Sequence, residues 1–195
     1  MPFTQIKKYY FDLVPSLTEE IWIEMKQKAI VQHYKKGENY ITPGEQEQFV
    51  TFINKGGFRY FLLMDDKEFV CEFTFENNYI SEYQSFLKRK PAKMFIQALE
   101  DSEVVKLHYD DVQACYERYP PFQKFGRLVA EKFLIDHIER LNSLLFSSPE
   151  DRYNQLITNN PQLLQRIPQY MIASFIGITP EALSRIRKRS VVSLI

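Results

Sequence analysis

In the stretch GITPEALSRIRKR, which begins at Gly177, Glu181 and Arg185 stand four residues apart with Ser184 between them. Four residues are about one helical turn, so on a helix the two side chains share a face. A glutamate can accept a hydrogen bond from cytosine N4, and an arginine can donate two to guanine O6 and N7, so the pair suits adjacent base pairs in a major groove. The same spacing makes an intrahelical ion pair worth about 0.2–0.5 kcal/mol, and that role is compatible with the first because the pair stiffens the arginine. Lys188 extends this face, while Arg187 and Arg189 point elsewhere. With Lys188 they suit phosphates, which give affinity without sequence choice.

Such a helix has to be started and held. Thr179 is an N-cap type, and Pro180 suits the first helical position, where its missing N–H costs nothing. Upstream, QYMIASFI places Ala173 four residues before Gly177. Two helices crossing near a right angle need a small residue where their backbones approach and a turn residue that tolerates positive φ. Ile172, Ile176, Ile178, Leu183 and Ile186 fall at the positions that seal the angle. The segment from Gln169 to Lys188 therefore reads as a helix-turn-helix, with Thr179, Glu181, Ser184, Arg185, Arg187, Lys188 and Arg189 available to nucleic acid.

Charge distribution agrees with this reading although total charge does not. The 195 residues carry 25 basic and 25 acidic side chains. From Arg152 onward, however, six basic residues face one acid, Glu181, a balance of +5 that leaves −5 for residues 1–151. Such asymmetry is expected when one segment meets a polyanion.

The elements preceding the helix-turn-helix change character twice. Residues 30–107 alternate short runs rich in Val, Ile, Phe and Tyr (QFVTFI, FRYFLLM, FVCEFTF) with the turn signals KKGE, TPGE, NKGG and MDDKE, which predicts an antiparallel sandwich or barrel. SLTEEIWIEMKQKA before it predicts a short helix capped by Ser16 or Thr18. Beyond ERYPP, Phe122–Phe146 predicts one helix about 36 Å long. Its Leu134, Ile138, Leu141 and Leu145 recur at 4-3-4 spacing and need an apolar partner, either a second copy of the chain or its own β-domain. Prolines at 149, 161, 168 and 180 then predict four short helices. The expected organisation is residues 1–119, a β-domain; 120–147, a long helix; and 148–195, an all-α domain.

That order of parts resembles the Crp/Fnr family of bacterial transcription regulators, in the version found in Bacteroidetes-type bacteria. The paired-glycine turns in KKGENYITPGE and FINKGGFRYFL, the closing ALEDSEVVKLHYDDVQACYERYPPF and the helix-turn-helix carry the likeness. It implies an α+β fold: an N-terminal antiparallel β jelly roll of the cyclic-nucleotide-binding kind, a long dimerisation helix and a C-terminal helix-turn-helix domain. It further implies a homodimer on a palindromic double-stranded DNA operator with half-sites roughly 34 Å apart. RNA polymerase and an effector of unidentified chemistry complete the implied partners. Glu181 and Arg185 match the family's base-reading positions. The effector pocket departs from the pattern. Cyclic-AMP-binding members carry Gly-Glu and, ten residues beyond that Glu, Arg followed by Ser or Thr. Here Ser81-Glu82 and Ala92-Lys93 stand there, so the phosphate-binding arginine is missing, and usual cyclic-nucleotide binding is not expected. With only SVVSLI after the second helix, the wing seen in some members is not expected.

Two other function classes compete with this one. The β-domain could be a small-molecule receptor signalling through protein contacts. A cupin-type enzyme needs clustered metal ligands, whereas His33, His108 and His137 are scattered, so no catalysis, metal or cofactor is expected. Cys71 and Cys115 suggest reduced thiols. The N-terminus lacks a signal-peptide pattern and no apolar run approaches a membrane span, so a cytoplasmic location is expected.

Overall fold

The computed structural model describes residues 1–159, 161 and 163–192. Asn160, the cap residue before Pro161, lies outside the described residues, as do the last three residues of SVVSLI. Two helices lead into the β-domain: α1 (Thr4–Leu13) and α2 (Glu19–Lys28). Thr18 caps α2, its Oγ1 accepting from Ile21 N–H at 3.4 Å. The first of these helices has no side-chain cap and no acidic first turn, which is why TQIKKYYFDL gave no start signal in the sequence.

Eight strands follow: β1 (Ile30–Tyr34), β2 (Asn39–Ile41), β3 (Phe49–Lys55), β4 (Gly57–Met64), β5 (Lys67–Phe75), β6 (Tyr79–Ile80), β7 (Phe95–Ala98) and β8 (Ser102–His108). They form two four-stranded sheets, ordered β1-β8-β3-β6 and β2-β7-β4-β5, with antiparallel registers such as Thr51 opposite Lys106 and Tyr60 opposite Ile96. This is the expected jelly roll. The turns sit where the sequence placed them, and Asp65 and Asp66 in MDDKE both adopt positive φ (48° and 59°), as a tight hairpin turn requires.

Strand alternation sorts the residues of the first sheet. Thr51, Ile53, Val104 and Lys106 face the second sheet; Val50, Phe52, Val105 and Leu107 face the other way, toward helices. Helix α3 (Tyr83–Lys88) interrupts the strands, and α4 (Tyr109–Arg118) precedes α5 (Pro120–Phe146), the predicted long helix. Phe122 and Phe125 of α5 stack on Tyr10 of α1, the latter with ring centroids 4.0 Å apart. The outer face of the first sheet is thereby covered by aromatic rings.

The chain divides into two compact units, one of residues 1–61 and 73–132, the other of 62–72 and 133–195. The division cuts α5 at Lys132 and assigns the tip of the β4–β5 hairpin to the second unit. That unit also holds α6 (Pro149–Asn159), α7 (Leu163–Arg166), α8 (Gln169–Ile176) and α9 (Pro180–Val192). Among the described residues no helix is long and apolar enough to cross a membrane.

Candidate functional site

Helix α8 ends at Gly177, which takes φ 75°, and the turn is closed by Ile178 N–H donating to Ala173 O (2.9 Å) and Gly177 N–H to Ser174 O (3.0 Å). These are the two bonds of a glycine-closed helix end. Ala173 is fully buried, as are Ile172 and Ile176; α9 packs against α8, and its Leu183 is 1% exposed. Ile178 and Ile186 are half-buried. The small residue and the glycine thus do what their spacing predicts, bringing α9 against α8.

Three polar side chains, one of α8 itself and two from other helices, fix its position. Ser174 Oγ accepts from Val70 N–H (2.9 Å) and donates to Glu68 O (3.0 Å), tying the helix to the hairpin tip. Arg140 of α5 lies over the Phe175 ring at 3.8 Å and donates to the carbonyls of Phe175 and Cys71. Burial pulls this guanidinium down to about 10, so it stays cationic at neutral pH. Arg152 donates to Ile176 O at 2.9 Å and to Ser147 O at 2.5 Å. Carbonyls at the C-terminus of α8 lack intrahelical donors, and these arginines supply them. Sequence reasoning counted Arg152 only as charge and passed over Arg140, because nothing local marks an arginine as a cap for a distant helix.

On α9, Thr179 Oγ1 accepts from Ala182 N–H at 3.3 Å, which starts the helix. Glu181, Ser184, Arg185, Arg187, Lys188 and Arg189 are all exposed. The backbone N–H of Glu181 itself, the Thr179 hydroxyl and Arg185 together hold the Glu181 carboxyl below its ordinary range. Arg187 departs from the anchor role in one respect: its Nη1 donates to Gln169 Oε1 of α8 at 2.8 Å.

The four α5 positions at 4-3-4 spacing, Leu134, Ile138, Leu141 and Leu145, are 48–65% exposed. Ile135, Leu144 and Phe146 are exposed beside them, which widens the stripe beyond what the spacing alone indicated.

In the jelly roll, Ser81 and Glu82 are buried at the start of α3. Glu82 caps that helix, its Oε2 accepting from Ser85 N–H at 2.6 Å. Ala92 is buried and exchanges backbone bonds with the 44–45 turn, while Lys93 is exposed. Arg89, the only arginine between residues 81 and 93, is turned onto the Tyr109 ring at 4.1 Å and donates to Glu47 O. Tyr60 fills the space below Ser81, its hydroxyl meeting Ser81 N–H at 3.2 Å.

Beneath them lies a polar cluster the sequence reading missed. Glu47, 3% exposed, accepts from Phe49 N–H (2.9 Å), Glu82 N–H (3.2 Å) and Tyr40 Oη (3.0 Å). Lys106 sits 4.0 Å over the Phe49 ring and donates to Gln32. Its inward register within SEVVKLH was the available signal. Burial pushes Glu47 up and Lys106 down. A carboxyl raised on folding binds more protons in the native than in the unfolded state, so stability declines as pH climbs from the ordinary glutamate range through the raised value. Glu47→Gln is expected to remove that decline, which parallel urea titrations of both proteins at successive pH values would measure. Superimposable pH dependences would show that the burial is relieved by water.

Among the described residues no group of three His, Cys, Asp or Glu side chains is placed to hold a metal ion. His33, His108 and His137 lie on β1, β8 and α5. Cys71 and Cys115 are both free thiols.

Residues 31–119 match the family model of the cyclic nucleotide-binding domain. No curated protein matches the sequence at a significant level. Among solved structures, the chain is similar to the c-di-GMP responsive global regulator CLP of Xanthomonas campestris, with 14% identity over 90% of this chain and 93% of that one and a TM-score of 0.72. FixK2 of Bradyrhizobium japonicum gives 15% identity, 86% coverage of each chain and a TM-score of 0.74. A protein of Eubacterium rectale, described as a transcriptional regulator of the Crp/Fnr family, gives 16%, 94% and 88% coverage, and 0.73. This chain thus carries a domain of the cyclic nucleotide-binding family at residues 31–119, and its fold is that of the Crp/Fnr regulators.

Proposed function

We propose that this protein is a dimeric, sequence-specific DNA-binding transcription regulator whose α9 enters the major groove. The observation that carries the reading is the division of α9 into two faces. Leu183 is sealed against α8 while Glu181, Ser184, Arg185 and Lys188 are left to solvent. A helix held by its apolar side, with its polar side exposed and contacted by no other helix through a bond of Ser184, Arg185 or Lys188 among the described residues, is built to present that side to a partner. The basic excess after Arg152 makes a polyanion the fitting one.

Glu181 and Arg185 read base edges, Ser184 adds an adaptable contact, and Lys188 and Arg189 meet phosphates. Arg187, braced by Gln169, aligns the two helices as well as contacting backbone. The apolar stripe of α5 joins two copies, matching the two-fold symmetry of a palindromic operator. The jelly roll does not take a cyclic nucleotide in the usual way: Lys93 points to solvent, Arg89 is committed to Tyr109, and Tyr60 occupies the space near Ser81.

The test is a pair of substitutions on a selected operator and on random DNA. Arg185→Ala is expected to lose about 1–3 kcal/mol on the operator and to relax one base position, whereas Lys188→Ala weakens both DNAs alike and reduces the salt slope by about one. Equal losses on both DNAs for Arg185→Ala would overturn the base-reading assignment.

A further inference from the structure

The outer face of the first sheet is not fully closed by the helices that cover it. Val50, Val105 and Leu107 form the floor of a cavity of about 60 Å³, with walls from α1, α2, β6, α3, α4 and the first half of α5. By strand alternation these floor residues face away from the jelly-roll interior, so the cavity is separate from the space around Ser81, Glu82 and Tyr60. All of it lies within the first compact unit.

We propose that this cavity binds a small amphipathic carboxylate, its ring or short alkyl chain among the aromatic walls and its charged group at Lys26. Three observations carry this. The walls are apolar and largely aromatic, including Tyr10, Trp22, Phe86 and Phe122. One water needs about 10–15 Å³ on this measure, so the space exceeds a single solvent site, and apolar cavities of such size take up small apolar guests. Second, Lys26 is the one charged residue of the lining. It makes no ion pair among the described residues; its ammonium rests 5.4 Å from the Phe3 ring centroid. A cation placed on the rim of an apolar space favours a guest with one anionic end. Third, the hydroxyl of Tyr79, a lining residue 6% exposed, has the Tyr10 hydroxyl as its neighbour but makes no hydrogen bond of normal geometry among the described residues. Buried polar atoms so poorly paired are rare, and a guest offering an acceptor completes the pairing of this one.

The inference stands apart from DNA binding, because the site lies wholly in the first unit and its test uses no DNA. Trp22 lines the cavity and is the only tryptophan of the chain, so its emission reports occupancy directly. Phenylacetate and hexanoate would be titrated into the full chain, with 2-phenylethanol and hexanol as uncharged counterparts. At least one acid is expected to give a saturable change below about 10 mM, in the range open to so small a ligand. Its alcohol should bind about threefold to fivefold more weakly, the size of one solvent-accessible ion pair. Lys26→Met should erase that difference.

Two cavity-filling variants, Val129→Phe from α5 and Ala29→Leu at the half-exposed end of α2, should abolish the response, each with its fold checked by circular dichroism. At least one of them is expected to retain the native spectrum. The proposal is overturned if neither acid gives a saturable change, if alcohols bind as well as acids, or if a folded filled variant responds like the parent.

Discussion

Replacing Leu183 by alanine is expected to destabilise the α-helical unit by about 2–5 kcal/mol, the range for emptying a buried leucine site. The side chain is 1% exposed on a helix packed against α8, whose Ile172, Ala173 and Ile176 are fully buried. Short helices draw most of their stability from packing and not from intrinsic propensity. Removing the main contact of α9 therefore removes most of what holds it. Hydrogen exchange should register the loss in α8 and α9, while amides of β3 and β8 keep their protection. Operator affinity should fall even though no DNA-facing atom has changed. Uniform loss of protection across both units would show instead that the chain unfolds as one body, and that Leu183 stabilises all of it.

The second large effect is expected on α5. Ile138→Glu combined with Leu141→Glu places two carboxylates in the middle of the apolar stripe. Both positions are about half exposed, so the change costs the isolated chain little. In a dimer joined along that stripe, each carboxylate is buried near its symmetry mate without a partner, which is several kcal/mol unfavourable. Sedimentation should therefore find the parent as a dimer and the double variant as a monomer. Affinity for a two-half-site operator should drop by about 10²–10⁴, because the second half-site is no longer bound at a raised effective concentration. A parent that sediments as a monomer, or a variant that remains dimeric, would remove α5 as the joining surface.

How much of this was legible beforehand differs by element, for physical reasons. The strands were visible because glycine and aspartate at the turns need conformations that other residues avoid, as Asp65 and Asp66 display with positive φ. The helix-turn-helix was visible because Ala173, Gly177, Thr179 and Pro180 each answer a local steric requirement at fixed spacing. The first helix was not visible, since it has no side-chain cap and no acidic first turn. Nor were the roles of Arg140, Arg152 and Ser174, whose partners stand up to 106 residues away in the chain. The polar cluster of Glu47, Tyr40 and Lys106 was equally hidden, because Tyr40 and Lys106 come from separate strands and Glu47 from the segment before β3.

The fold class, the order of the parts and the division of α9 into a held face and a free face follow from the sequence alone. They depend on backbone conformation and on periods of two and 3.6 residues, both of which are local. Tertiary structure decided which groups meet: that Glu82 spends its carboxylate on a helix cap, that Arg89 turns to Tyr109, and that an aromatic cavity opens beneath α2. Those outcomes depend on how distant segments share space, and no local pattern encodes a void or a contact between residues far apart in the chain.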